Sequence, residues 1–174
     1  LAPDGTALLA DGDRVAVLGP DASVRSTHAA PWRPTRLVQA GGLTLLGDSH
    51  PGNLRALRGD VEVPLSEDAL DGSATADAEG AAWFLEGQRT RNAPKTLVRV
   101  DPETLECRRV RTEVDARRLA PLPGGGLLVH VQESLGERLL PVDSAGRRGT
   151  PVELGRSARL QELLVAPDGA RAFA

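Results

Sequence analysis

Acidic or amide side chains return at a fixed place in this chain. Asp11, Asp48, Glu86 and Gln132 each stand six residues after a glycine, namely Gly5, Gly42, Gly80 and Gly126. Oxygen ligands set at one level of a repeated structure could gather round calcium, a hard cation, or meet a basic peptide. Asp11, Asp48 and Glu86 are therefore the candidate metal ligands. A plainer account has each polar group ending a strand and satisfying turn amides.

Other reactive residue types are few. His28, His50 and His130 are the only histidines. Imidazole suits metal binding or proton transfer, but these three fall at different repeat phases, so no shared site follows. Asp48, Ser49 and His50 hold the residue types of a hydrolytic triad. Adjacent side chains rarely face one another, and no nucleophile elbow surrounds them. Cys107, the lone cysteine, has Arg108, Arg109 and Arg111 beside it. Nearby cations would lower a thiol pKa; a small filler next to a solvated face needs no such chemistry. Arg58-Gly59-Asp60 matches a cell-attachment tripeptide, yet it falls where each repeat has an Asp turn. The glycines at 124–126 carry no GK[ST], so they are not a phosphate loop. Arg89, Arg91 and Asn92 form a polar insertion before Pro94 and lengthen one hairpin. Long loops on stiff scaffolds carry contacts more often than the scaffold does, so these three residues are the candidate binding loop.

The elements that must hold these groups are repeated. A turn ending in glycine is followed at once by a short apolar run: TALLAD after Gly5, LTLLGD after Gly42, AAWFLEG after Gly80, LLVHVQE after Gly126 and ARAFA after Gly169. The glycines are spaced by 37, 38, 46 and 43 residues, close to the ~40–50-residue period of four-stranded propeller blades. Each period continues with a stretch ending in an Asp turn, such as TLVRVDPET and RLLPVDSAG. A charged or alternating stretch follows, such as VEVPLSE and CRRVRTEV. A last stretch, such as PTRLVQAGG or ARRLAPLPGGG, leads to the next glycine. Consecutive apolar residues after the glycine imply cover on both faces, and the charged third stretches suit outer strands. Helical periodicity is confined to short pieces near 66–70 and 156–164, and thirteen prolines break up any longer helix.

The phrases LVAPDGARAFA and LVRVDPETLE resemble bacterial β-propeller repeats of the broad NHL/YVTN-like kind. There a strand, a Pro-Asp-Gly turn, a strand and a V-D-x-x-T/S hairpin recur. The likeness extends along nearly the whole chain. It implies an all-β β-propeller of four four-stranded antiparallel blades plus a partial fifth, forming one domain over residues 1–174. The phase favours a fragment of a larger ring over a ring closed by overlapping ends. Neither a WD dipeptide nor a kelch signature is present.

Composition narrows the partners. The chain has 174 residues, 40% apolar and 26% charged, with a net charge of −3. That is ordinary for a folded domain and provides no basic footprint for nucleic acid. No apolar stretch approaches the ~20 residues that span a bilayer, so no membrane insertion is expected. The absence of a signal-peptide pattern favours the cytoplasm, although a start at Leu1 without any Met reads as a processed product or a piece of something longer. The first functional expectation is a non-catalytic recognition scaffold for a protein partner or a neighbouring domain, without a cofactor. The second is a propeller hydrolase of the lactonase type, with calcium held in a central channel by Asp11, Asp48 and Glu86. The third is a structural segment of a multidomain protein.

Overall fold

A computed structural model describes residues 6–30, 33–34, 36–40, 43–47, 53–58, 61–70, 73–88, 90, 93–111, 115–133, 136–155, 164–165 and 172–173. Among these residues all regular structure is β, and no helix is long and apolar enough to cross a membrane. The helical pattern near 66–70 forms no helix. Most of the pattern near 156–164 lies outside the described residues.

The strands form five antiparallel sheets in chain order. Sheet 1 holds β1 (Ala7–Asp11), β2 (Arg14–Leu18) and β3 (Val24–Ala29). Sheet 2 runs β4 (Arg36–Ala40), β5 (Leu43–Gly47), β6 (Leu54–Arg58) and β7 (Val61–Ser66). Sheet 3 runs β8 (Thr75–Ala76), β9 (Ala82–Glu86), β10 (Thr96–Val100) and β11 (Cys107–Arg111). Sheet 4 runs β12 (Ala116–Pro121), β13 (Leu127–Glu133), β14 (Gly136–Val142) and β15 (Val152–Gly155). Sheet 5 pairs β16 (Leu164–Val165) with β17 (Ala172–Phe173). The expected all-β architecture of successive antiparallel sheets is present, and three of the five sheets have four strands among the described residues. The first sheet has three and the last has two.

Sheets 2 to 5 each span a glycine turn: the stretch before the glycine is the first strand of the sheet, and the apolar run after it is the second. In sheet 1 the run after Gly5 is β1 itself. In sheet 4 this turn needs its glycine. Gly126 has φ +80°, and a Cβ there would lie 2.2 Å from the Val142 carbonyl oxygen, where only glycine avoids a clash. In sheet 3 the turn is fastened by Asp77. Its buried carboxylate accepts hydrogen bonds from the Glu79 and Ala81 amides and from Trp83 Nε1. Arg99 lies over the Trp83 ring, 5.8 Å from its centroid.

The expected Asp turns join the third and fourth strands. Asp101 accepts from the Glu103 and Thr104 amides, and Asp143 accepts from the Arg147 amide. These bonds favour the ionised form, and both carboxyls titrate below their ordinary value. The turns at Gly5, Gly42 and Gly169 lie outside the described residues.

The core is laminated. Val15 and Ala30 meet Leu46 and Leu57 between sheets 1 and 2. Leu45, Leu54 and Ala56 meet Ala82, Phe84, Val98 and Val100 between sheets 2 and 3. Trp83, Leu85 and Leu97 meet Leu127, Val129, Val131 and Leu140 between sheets 3 and 4. Consecutive residues such as Trp83 and Phe84 point to opposite faces, so an unbroken apolar run is what a doubly covered strand requires. The first strands β4, β8, β12 and β16 touch in succession, while the charged strands β7 and β11 are last in their sheets.

Candidate functional site

Strand direction places two kinds of connection at one rim. The hairpins between second and third strands are there, and so are the crossings from one sheet to the next. Between sheets 3 and 4 this rim holds a buried charged cluster. Lys95 lies just before β10 and is only 1% exposed. Its ammonium donates to the carbonyls of Gln88 and Thr90, across the base of the 88–94 loop. It also faces Asp115 Oδ1 at 3.8 Å, just before β12. Asp115 Oδ2 accepts from Arg117 Nη2 at 2.8 Å, and the Asp115 carbonyl accepts from the Gln132 amide. Burial pushes the Lys95 pKa below its ordinary value; Asp115 pulls it back. At the other end of the loop, Gly87 has φ +138°, and a Cβ there would meet the Pro94 carbonyl oxygen at 3.3 Å. The loop therefore leaves and re-enters through a closely packed neck.

A second polar group lies alongside in sheet 4. His130 is 3% exposed, and its Nε2 is 3.1 Å from Glu137 Oε2. Gln132 Nε2 donates to Glu137 Oε1 at 3.3 Å. Among the described residues His130 Nδ1 has no hydrogen-bond partner. Burial holds the His130 pKa below its usual value, while Glu137 works in the opposite direction and Arg118 and Arg117 add to the lowering.

Between sheets 2 and 3 a cleft of about 600 Å³ opens at the same rim. It is lined by Leu65, Ser66, Glu67, Asp68, Glu86 and Arg109, among others. Arg109 grips Glu86 with two hydrogen bonds, Nε to Oε2 at 3.0 Å and Nη2 to Oε1 at 3.2 Å.

The residues singled out from the sequence divide as follows. Asp11 ends β1, in register with Arg14. Glu86 ends β9 and reaches across its own sheet to Arg109 in the outermost strand. Gln132 reaches along sheet 4 to Glu137. Glu86 and Gln132 are thus directed along their own sheets, not toward each other. Asp48 lies outside the described residues, with Ser49, His50, Arg89, Arg91, Asn92, Gly59 and Asp60. Among the described residues no group of three or more His, Cys, Asp or Glu could hold a metal ion. His28 Nε2 meets the Ser26 hydroxyl at 3.1 Å within β3. Cys107 packs against the core between sheets 2 and 3. Burial raises its pKa and outweighs Arg109, which favours the inert filler over the reactive thiolate.

Sequence reasoning did not single out Lys95, Asp115, Arg117 or Glu137. One signal was available: Lys95 is the only lysine, and it closes the very insertion chosen as the binding loop.

No family model matches the chain, and no curated protein matches it in sequence. Among solved structures it is similar to a luciferin-regenerating enzyme. The TM-score is 0.53 at 15% identity, with 87% of this chain and 59% of that one covered. A likeness at that identity concerns the fold alone, and this chain spans about three-fifths of that protein's length.

Proposed function

We propose that the five sheets belong to a β-propeller and that the rim between sheets 3 and 4 is a non-catalytic recognition surface for protein. The observation that carries this reading is the Lys95 ammonium at the start of β10, buried and bonded back to the Gln88 and Thr90 carbonyls. Burying a charge costs several kcal/mol unless it is paired and hydrogen-bonded (about that order). Here the buried charge ties Gln88 and Thr90 to the start of β10, and binding loops are best presented from such fixed ends. The succession of first strands and the likeness to a longer solved fold support the propeller.

The test uses a random peptide library displayed on phage and selected on the immobilised chain. Enriched peptides should lose binding when Arg89, Arg91 and Asn92 are all replaced by serine, with the melting temperature unchanged. Peptides that bind the triple variant equally well, or no enrichment at all, refute the rim as a recognition surface.

A calcium-dependent propeller enzyme is the second reading, and the similar fold's being an enzyme is what favours it. Its ligands would be Asp11, Asp48 and Glu86, but Glu86 already holds Arg109. A ligand present at 100 times its dissociation constant stabilises by about 2.7 kcal/mol. Millimolar calcium against chelator should therefore leave the melting temperature unchanged under the recognition reading. A rise of several degrees, abolished by Asp48→Ala, would favour the enzyme.

A further inference from the structure

We infer that the cleft between sheets 2 and 3 binds an aliphatic cation, an ammonium or guanidinium group carried on a short apolar stem. The face that sheet 3 turns toward sheet 2 shows why. Side chains alternate along a strand, so Ala82, Phe84 and Glu86 share this face on β9. Thr96, Val98 and Val100 share it on β10, and Cys107 and Arg109 share it on β11. Ala82, Phe84, Val98 and Val100 are buried against sheet 2, with Cys107 packed alongside. Toward the rim the same face changes character. Glu86, Thr96 and Arg109 line a cleft of about 600 Å³ instead of joining the apolar layer. A space of that size suits a small ligand.

The opposite wall is fastened to the first. It consists of the end of β7 and the crossing that follows, Pro64 to Asp68. The Asp68 amide donates to Ser66 Oγ at 3.2 Å, and the Asp68 carbonyl accepts from the Gly87 amide at 3.1 Å. The two walls therefore keep their spacing. Charge then decides the sign of the ligand. Among the described lining residues the charged ones are Glu67, Asp68, Glu86 and Arg109. Arg109 neutralises Glu86 through two hydrogen bonds. Glu67 and Asp68 are exposed, and neither has an ion-pair partner among the described residues. The charge left over is negative, so a cation is attracted and an anion repelled. Pro64 and the buried Leu65 offer apolar surface to the stem that carries it. Glu86 already displays the chemistry, since it grips a guanidinium of its own chain.

The cleft lies on the sheet 2 side of sheet 3, and the recognition surface proposed above lies on the sheet 4 side. The phage selection can therefore fail without touching this inference. The probe is n-butylguanidinium, added at millimolar concentration to the full chain and followed through amide chemical shifts. The Asp68, Gly87 and Thr96 amides should shift and saturate while those of β13 stay in place. Neutral n-butanol at the same concentration should move none of them. Glu67→Gln combined with Asp68→Asn should weaken binding by roughly fivefold, with the melting temperature unchanged because both side chains are exposed. Arg109→Gln should tighten binding by a similar factor, because Glu86 is then released to the ligand. Acetyl-Gly-Arg-Gly-amide binding more tightly than n-butylguanidinium would assign the cation to a peptide side chain. Equal or weaker binding of that peptide would assign it to a free alkyl cation. No saturating shift at the cleft, or equal binding by the double variant, overturns the inference.

Discussion

Replacing Lys95 by methionine tests whether a buried charge holds the rim loop. Methionine has a similar length and no charge, so packing is largely kept. The variant loses the donor to the Gln88 and Thr90 carbonyls and the partner 3.8 Å from Asp115. Breaking a buried ion pair costs about 3–5 kcal/mol when the other charge is stranded. Here Arg117 stays 2.8 Å from Asp115, and the ammonium no longer has to be desolvated. Both effects place the net loss near the lower bound, about 2–3 kcal/mol. For a chain of this size that lowers the melting temperature by roughly 5–10 °C.

The pH profile gives a second reading of the same group. Burial depresses the Lys95 pKa in the folded state. Between the depressed value and the ordinary one, the unfolded chain binds more protons, so stability rises with pH across that alkaline interval. Lys95→Met should remove this rise. Urea titrations of parent and variant from neutral pH to pH about 10 supply both numbers. A variant within about 0.5 kcal/mol of the parent, with the same alkaline slope, refutes the strut.

Two further outcomes follow from the geometry. Gly126→Ala places a Cβ 2.2 Å from the Val142 carbonyl oxygen at φ +80°; it should cost about 2 kcal/mol or more, whereas Gly124→Ala, with nothing within 4 Å of its Cβ, should be close to neutral in a thermal melt. His130 has a folded pKa below its ordinary value because of burial, so the unfolded chain takes up the proton first as pH falls. Stability should decline below about pH 6.5 until the folded value is passed. His130→Phe, followed by urea titration at pH 7 and pH 5, should flatten that decline.

The strands were legible because glycine turns and apolar runs are local. β5, β9 and β13 begin within two residues of Gly42, Gly80 and Gly126, and the charged third stretches became outer edges. The membership of the sheets was less legible. A period counted from each glycine separates strands that the turn in fact joins, since hydrogen bonds cross the glycine. The rim cluster was hidden for another reason. Lys95 and Asp115 stand twenty residues apart, and only the packing of sheet 3 on sheet 4 brings them together. The regular recurrence of Asp11, Glu86 and Gln132 was real, but spacing along a chain does not reveal where a side chain turns. Glu86 turned to Arg109 and Gln132 to Glu137.

The laminated core has a consequence for how this chain comes apart. The three apolar layers between sheets 1 and 4 are each shared by two adjacent sheets, so stability accumulates from neighbour to neighbour along a line. Among the described residues the largest buried side chains, Trp83 and Phe84, belong to sheet 3, while sheet 1 contributes the smaller Val15 and Ala30 to its layer. Opening should therefore begin at sheet 1 and stop before sheet 3. A chain already loosened at that end would still carry the Lys95 neck intact.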